Sequence, residues 1–216
     1  MTPKALLFDM DGTLVDSDPL HIAVFIDLLR DYGITLTEAD YMARIHGRMN
    51  VEIFADLLPN EDPHKLDLEK EAAYRARLGD RVDPLPGTRH LISRAKTSGV
   101  KIAAVTNGPR TNLDAILQAT GLAESFDVSV SSNDVENGKP DPEPYARALA
   151  QLGIKAEDSI AFEDSPSGIR SATAAGIATI GITSSLDAET LIQSGAIAAI
   201  QDFTDPILTR HLGEYA

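Results

Sequence analysis

The sequence contains no cysteine among its 216 residues. That excludes disulfides, thiolate catalysis and cysteine-ligated zinc or iron–sulfur centres. No apolar run approaches the roughly 18 residues of a membrane-spanning helix. The first apolar run, Ala5 to Phe8, is cut short by Asp9, which is too soon for a secretory signal core. A basic footprint is missing as well. Lys and Arg number 19 against 33 Asp and Glu, a formal charge of −14. Nucleic acids and anionic membranes both require such a footprint, so neither is expected as a partner. No internal repeat and no low-complexity segment interrupts the chain. The expectation is a soluble cytoplasmic protein, whose negative charge suits a monomer.

Apolar residues make up 43% of the chain and charged residues 24%, an ordinary globular balance. A chain of this length buries about 70% of its unfolded surface. Lys4–Asp9 reads as a short buried strand running straight into acid. Val100–Val105, Ser159–Phe162, Ile177–Ile182 and Ala196–Ile200 repeat that form, and Phe126–Val130 does so more weakly. Each is short, bounded by turn residues and rich in Ile, Val, Ala or Leu, as strands buried on both faces are. Helical patterns cover Gly87–Ser98, Arg110–Thr120, Pro142–Leu152 and Pro166–Ala175. Gly99, Gly121, Gly153 and Gly176 stand where left-handed caps are expected. This alternation predicts βα units and a parallel sheet. From about Asp16 to Arg81 the rhythm breaks. Helical patterns near 18–32, 37–45, 49–58 and 64–79 follow one another without a strand. They read as an inserted helical domain, with Asp83 to Gly87 as the return hinge.

Open parallel sheets bind ligands beyond the carboxyl ends of their strands. Those ends carry Asp9 and Asp11, then Thr106 and Asn107, then Glu163 and Asp164; Lys139 lies in a loop before a helix. Converging carboxylates repel one another unless a cation sits among them. With oxygen donors alone, a hard ion such as Mg²⁺ is expected. Such a site suits phosphoryl chemistry, with Lys139 and Thr106 toward the phosphate oxygens. Asp9 is placed to attack phosphorus and Asp11 to move the proton. Each residue alone has a plainer reading. Asp9 and Thr106 suit turns or caps, Lys139 a solvated surface, and Glu163-Asp164-Ser165-Pro166 a helix start.

Phe8-Asp9-Met10-Asp11-Gly12-Thr13-Leu14-Val15-Asp16-Ser17 resembles the first signature of the haloacid dehalogenase superfamily. Val105-Thr106-Asn107-Gly108 resembles the second, Gly138-Lys139-Pro140-Asp141-Pro142 the third, and Phe162-Glu163-Asp164-Ser165 the fourth. They stand in the family order. The insert after the first signature is similar to the helical C1 cap of the β-phosphoglucomutase and phosphoglycolate phosphatase branch. The resemblance implies a three-layer α/β core of Rossmann-like type over 1–15 and 82–216, with the cap over 16–81. It implies Asp9 as nucleophile and Asp11 as acid/base. It implies Thr106 and Lys139 at the phosphate, and Asn107, at the same strand end, is a further candidate there. It implies Asp9, Asp11, Glu163 and Asp164 around Mg²⁺. The implied activity is a phosphatase acting on a small phosphate ester such as a sugar phosphate or a phosphoglycolate-like acid. A phosphosugar mutase is the alternative. A dehalogenase and a non-catalytic phospho-acceptor are more remote, because Asp11 and the Glu163-Asp164 pair are kept.

Specificity is expected from the cap. Arg44, His46 and Arg48 lie close together, with Gly47 in a turn; Arg75, Arg77 and Arg81 form a second basic group. Such spots suit an anionic or polyol group, or they are ordinary helix-surface charge. By the same resemblance, Ser17 and His21 are candidate substrate contacts; Arg48 is one by its place in the first basic spot. Asn50 stands where the mutases of the branch carry Arg.

Overall fold

In the computed structural model, residues 3–46 and 48–213 are described. The turn expected at Gly47 lies outside the described residues. The chain divides into two compact units, Met1–Asp16 with Arg81–Ala216, and Ser17–Asp80.

The first unit holds six strands among the described residues: β1 (Ala5–Phe8), β2 (Lys101–Val105), β3 (Val128–Val130), β4 (Ser159–Glu163), β5 (Ala178–Ile182) and β6 (Ala198–Ile200). All pair in parallel, in the order β3-β2-β1-β4-β5-β6. Every residue of β1 and β4 is buried. This accounts for their unbroken apolar runs, since helices cover a parallel sheet on both faces. Those helices are α5 (Thr88–Thr97), α6 (Arg110–Ala119), α7 (Glu143–Leu152), α8 (Pro166–Ala174), α9 (Ala188–Gln193) and α10 (Leu208–Leu212). The glycines expected as caps at 99, 121, 153 and 176 all have positive φ.

Side chains alternate across a strand. Ala5, Leu7, Ala103, Val105 and Ala161 share one face and pack against Tyr145, Ala148 and Leu149 of α7. Phe8 and Phe162 take the other face, stacked with ring centroids 4.9 Å apart; Phe203 closes on both. The strand order reverses between β1 and β4, whose onward connections lead in opposite directions, to β2 and to β5. A crevice opens at such a point, outside the strands' carboxyl ends. Asp9 and Glu163 stand there, on the α7 side, by continuing the alternation of Leu7 and Ala161.

The second unit is helical: α1 (Asp18–Asp31), α2 (Glu38–Arg44), α3 (Asn50–Leu57) and α4 (Pro63–Leu78). A reciprocal capping box between Thr37 and Asp40 starts α2, and Asp62 caps α4 ahead of Pro63. Its core gathers Phe25, Leu29, Tyr41, Ile53, Phe54 and Leu66. No helix among the described residues is long and apolar enough to cross a membrane.

Candidate active site

Asp9 follows β1 and keeps one ladder bond, its N–H donating to the Phe162 carbonyl at 3.0 Å. The chain then turns tightly, with Leu14 N–H bonded to the Met10 carbonyl at 2.8 Å and Gly12 N–H to the Val15 carbonyl at 2.8 Å. Gly12 has φ +76°, and a Cβ on it would stand 2.2 Å from Asp164 Oδ2. Only glycine satisfies both the left-handed conformation and that approach.

Lys139 is the centre of the site. It is buried, and its Nζ donates to Asp9 Oδ1 at 2.5 Å, Glu163 Oε1 at 2.5 Å and the Val105 carbonyl at 2.8 Å. An ammonium has three donors, and these contacts use all of them. Burial opposes its charge, but Asp9 and Glu163 outweigh that and hold it above the ordinary lysine range. Burial also pushes the Asp9 carboxyl up. Lys139 pulls it back and the Glu163 charge pushes it up again, leaving it at about 8.

Glu163 has further partners that sequence motifs did not reveal. The Tyr145 hydroxyl donates to Oε1 at 2.7 Å, and Ser165 Oγ to Oε2 at 3.3 Å. The Tyr145 ring also lies under the Lys139 ammonium, 5.2 Å from its centroid. Burial and the charges of Glu163 and Asp9 hold the Tyr145 phenol well above its ordinary range, as a neutral donor. Ser165 caps α8 by accepting from Gly168 N–H at 3.1 Å. A Cβ on Gly168 would fall 1.9–2.0 Å from the Glu163 carboxylate. Gly168→Ala is therefore expected to cost about 3 kcal/mol through overpacking. Urea unfolding checks this; an unchanged midpoint would mean that Glu163 has room to move.

Asp9, Glu163 and Asp164 are buried, each offering one oxygen within 4.8 Å of the others. Their hard oxygen donors and net negative charge fit a divalent cation. Asp11 is half-buried two residues beyond Asp9 and is not part of that grouping. Thr106 is buried, and its Oγ1 accepts from Gly108 N–H at 2.9 Å. The Asn107 amide pairs with the Lys139 backbone. Asp9, Asn107, Lys139, Glu163 and Asp164 thus meet within the first unit, with Thr106 next to Asn107 in the chain.

Ser17, His21 and Arg48 belong to the second unit. Ser17 is buried at the N-cap of α1. His21 stacks on Tyr74 with centroids 4.2 Å apart, and its Nδ1 meets Lys70 Nζ at 2.9 Å. Lys70 is buried and pairs with Glu71 at 2.8 Å. Arg48 is bound by Asp56 at 2.5 Å and by the Arg44 carbonyl at 3.0 Å; His46 lies 3.5 Å from Asp18. Arg77 pairs with Asp27. Lys70, Arg48, His46 and Arg77 thus have local acidic or carbonyl partners. Asn50 donates to Asp67 at 2.8 Å and to Glu71 at 2.5 Å.

A parallel α/β sheet with an aspartate, a lysine and a Glu-Asp pair at its switch point defines a class of hydrolases. The chain belongs to the haloacid dehalogenase-like hydrolase family, whose model matches residues 6–182. It is 32% identical over 213 residues to validoxylamine A 7'-phosphate phosphatase of Streptomyces hygroscopicus subsp. limoneus, covering 97% of this chain and 98% of that protein. It is 34% identical to a phosphorylated carbohydrates phosphatase of Thermotoga maritima, with 92% and 94% covered. A crystal structure of a HAD hydrolase, family IA, variant 3, from Entamoeba histolytica superposes with a TM-score of 0.88 at 30% identity, covering 97% of each chain.

Proposed function

We propose that the protein is a Mg²⁺-dependent phosphatase of small phosphate monoesters, a sugar phosphate or a phosphoglycolate-like acid, working as a cytoplasmic monomer. The observation that carries this reading is the Lys139 ammonium held against Asp9 and Glu163 at the switch point. A cation fixed beside the nucleophile stabilises the charge that a phosphoryl group spreads over its oxygens. The named substrates of the two phosphatase relatives, phosphorylated carbohydrates and validoxylamine A 7'-phosphate, support the substrate class.

Asp9 attacks phosphorus, the ester P–O bond breaks, and Asp11 gives its proton to the leaving oxygen. Asp11 then takes a proton from water, which attacks the phospho-Asp9 and releases inorganic phosphate. To orient the phosphoryl oxygens, the Lys139 ammonium exchanges one of its present acceptors for a phosphoryl oxygen, and Thr106 turns its hydroxyl proton toward them. Asp9, Glu163, Asp164 and the Asp11 backbone carbonyl would hold Mg²⁺, which neutralises phosphoryl charge when bound. The helical unit is read as the part that selects the ester. The mutase alternative is less supported. Asn50, where the mutases carry Arg, spends its amide on Asp67 and Glu71.

Phosphate release from a panel of small esters, with Mg²⁺ and with chelator, tests the reading. Metal-dependent release from sugar phosphates or phosphoglycolate is expected. Release of halide from a haloacid without metal, or isomerisation that requires a sugar bisphosphate, would replace this reading with the corresponding one.

A further inference from the structure

The end of β2 holds Lys139 at both ends. Val105, the last residue of β2, accepts from its ammonium at 2.8 Å. Two residues later, the Asn107 side chain takes its backbone. Asn107 Nδ2 donates to the Lys139 carbonyl at 3.1 Å, and Lys139 N–H donates to Asn107 Oδ1 at 2.8 Å, across a sequence separation of 32. The amide thus satisfies one donor and one acceptor of the same residue, as a neighbouring strand would. Gly138 makes room for it. A Cβ there would lie 2.8 Å from Asn107 Oδ1, although Gly138 is not among the positive-φ glycines. Glycine is required at 138 by space and not by conformation. Other contacts grip the loop's flanks. Glu143 accepts from Glu136 and Asn137 N–H at 2.9 Å, and Ser171 donates to the Asp141 carbonyl at 2.5 Å. Neither reaches residue 139.

We infer that Asn107 is a positioning residue that acts through Lys139. Pinned by its backbone beyond Val105 and by its ammonium on Val105, the lysine has its reach toward Asp9 set by a single strand end. The side chain of Asn107 is thereby committed to the loop and does not serve as a separate phosphate ligand. The inference rests on the reading of Lys139 as the residue that orients the phosphoryl group.

A double-mutant cycle between Asn107→Ala and Gly138→Ala tests it, read in kcat, KM and urea unfolding. Each single change should lower kcat by about 100-fold, the scale of an ångström's misplacement, with a smaller change in KM. The double mutant should be no slower than the worse single, because the methyl added at position 138 then has no amide to meet. Losses that multiply to about 10⁴-fold would overturn the latch, since independent effects add in free energy. A raised KM with unchanged kcat for Asn107→Ala would overturn it too, by making Asn107 a substrate contact. Where Asn107→Ala does not fold, Asn107→Asp replaces it, keeping the acceptor and turning an anionic oxygen on the Lys139 carbonyl. The unfolding cycle needs no substrate. If the wild type released no phosphate, the phosphatase reading would fail, while additive unfolding energies alone would still sink the latch.

Discussion

Asp9→Asn is expected to abolish phosphate release while raising the temperature at which the metal-free protein unfolds. The activity loss follows from chemistry. A carboxamide cannot form the phospho-enzyme, and losing a nucleophile costs on the order of 10⁴-fold or more in kcat. The gain in stability follows from the site's charge. Asp9 and Glu163 share one ammonium, and a third buried acid, Asp164, lies within 4.8 Å of both. Burial first, then the neighbouring acid, lifts the Asp9 carboxyl from 3.8 to about 8. The sign is fixed by proton binding. Between those values the folded protein holds a proton on Asp9 that the unfolded chain has lost, so stability falls as pH rises from about 4 to 8. Asn carries no such charge, so its advantage should grow across that window. Calorimetry of both proteins without metal, at pH 5 and pH 7.5, measures it. Residual turnover above about 1% in clean protein would remove Asp9 from the mechanism, and a lower midpoint at pH 7.5 would show that the cluster tolerates its charge.

Removing the ammonium from the same cluster should do the opposite to stability. Lys139→Met removes the ammonium and leaves the acids and the Val105 carbonyl without it. Taking one member from a buried ion pair costs roughly 3–5 kcal/mol. The loss should shrink at low pH, where the acids take up protons. Turnover should fall by about 10³-fold in kcat/KM, the scale of losing a donor to developing charge. Lys139→Arg should not rescue it, because a larger planar fork cannot direct its donors as a compact ammonium does to Asp9, Glu163 and the Val105 carbonyl at once. Urea unfolding and steady-state kinetics give both numbers. Equal destabilisation by Asp9→Asn and Lys139→Met would mean a balanced pair and not an overcharged cluster.

The contrast between legible and hidden residues has a physical cause. β1 and β4 could be read because burial on both faces forces continuous apolar sequence, and the acids after them stand out against it. Asp9, Lys139 and the Glu163-Asp164 pair could be read for that reason and through their motifs. The short helices α9 and α10, with six and five residues, leave too few turns for a helical period to register. Tyr145 was hidden because an aromatic on the apolar face of α7 looks like any core residue, and only its hydroxyl contact with Glu163 tells otherwise. The pairing of Asn107 with the Lys139 backbone is tertiary and leaves no local pattern. Lys70 is similar. It sits in a charged stretch of α4, and its burial against Phe25 is set by the packing of α1 on α4.

The central strand of the sheet is also the first to be synthesised. Ala5 pairs with Lys101 on one side and with Ser159 on the other. At about 5–20 residues per second on the ribosome, β1 waits on the order of ten seconds for its second neighbour. Until then its backbone donors and acceptors are an open edge, a template for pairing with another nascent chain. The chemistry waits with it, because Glu163 and Asp164 arrive at the end of that same second neighbour. No truncated chain ending before β4 can gather the acidic cluster. Assembly of the active centre and closure of the open edge of β1 are one event during synthesis.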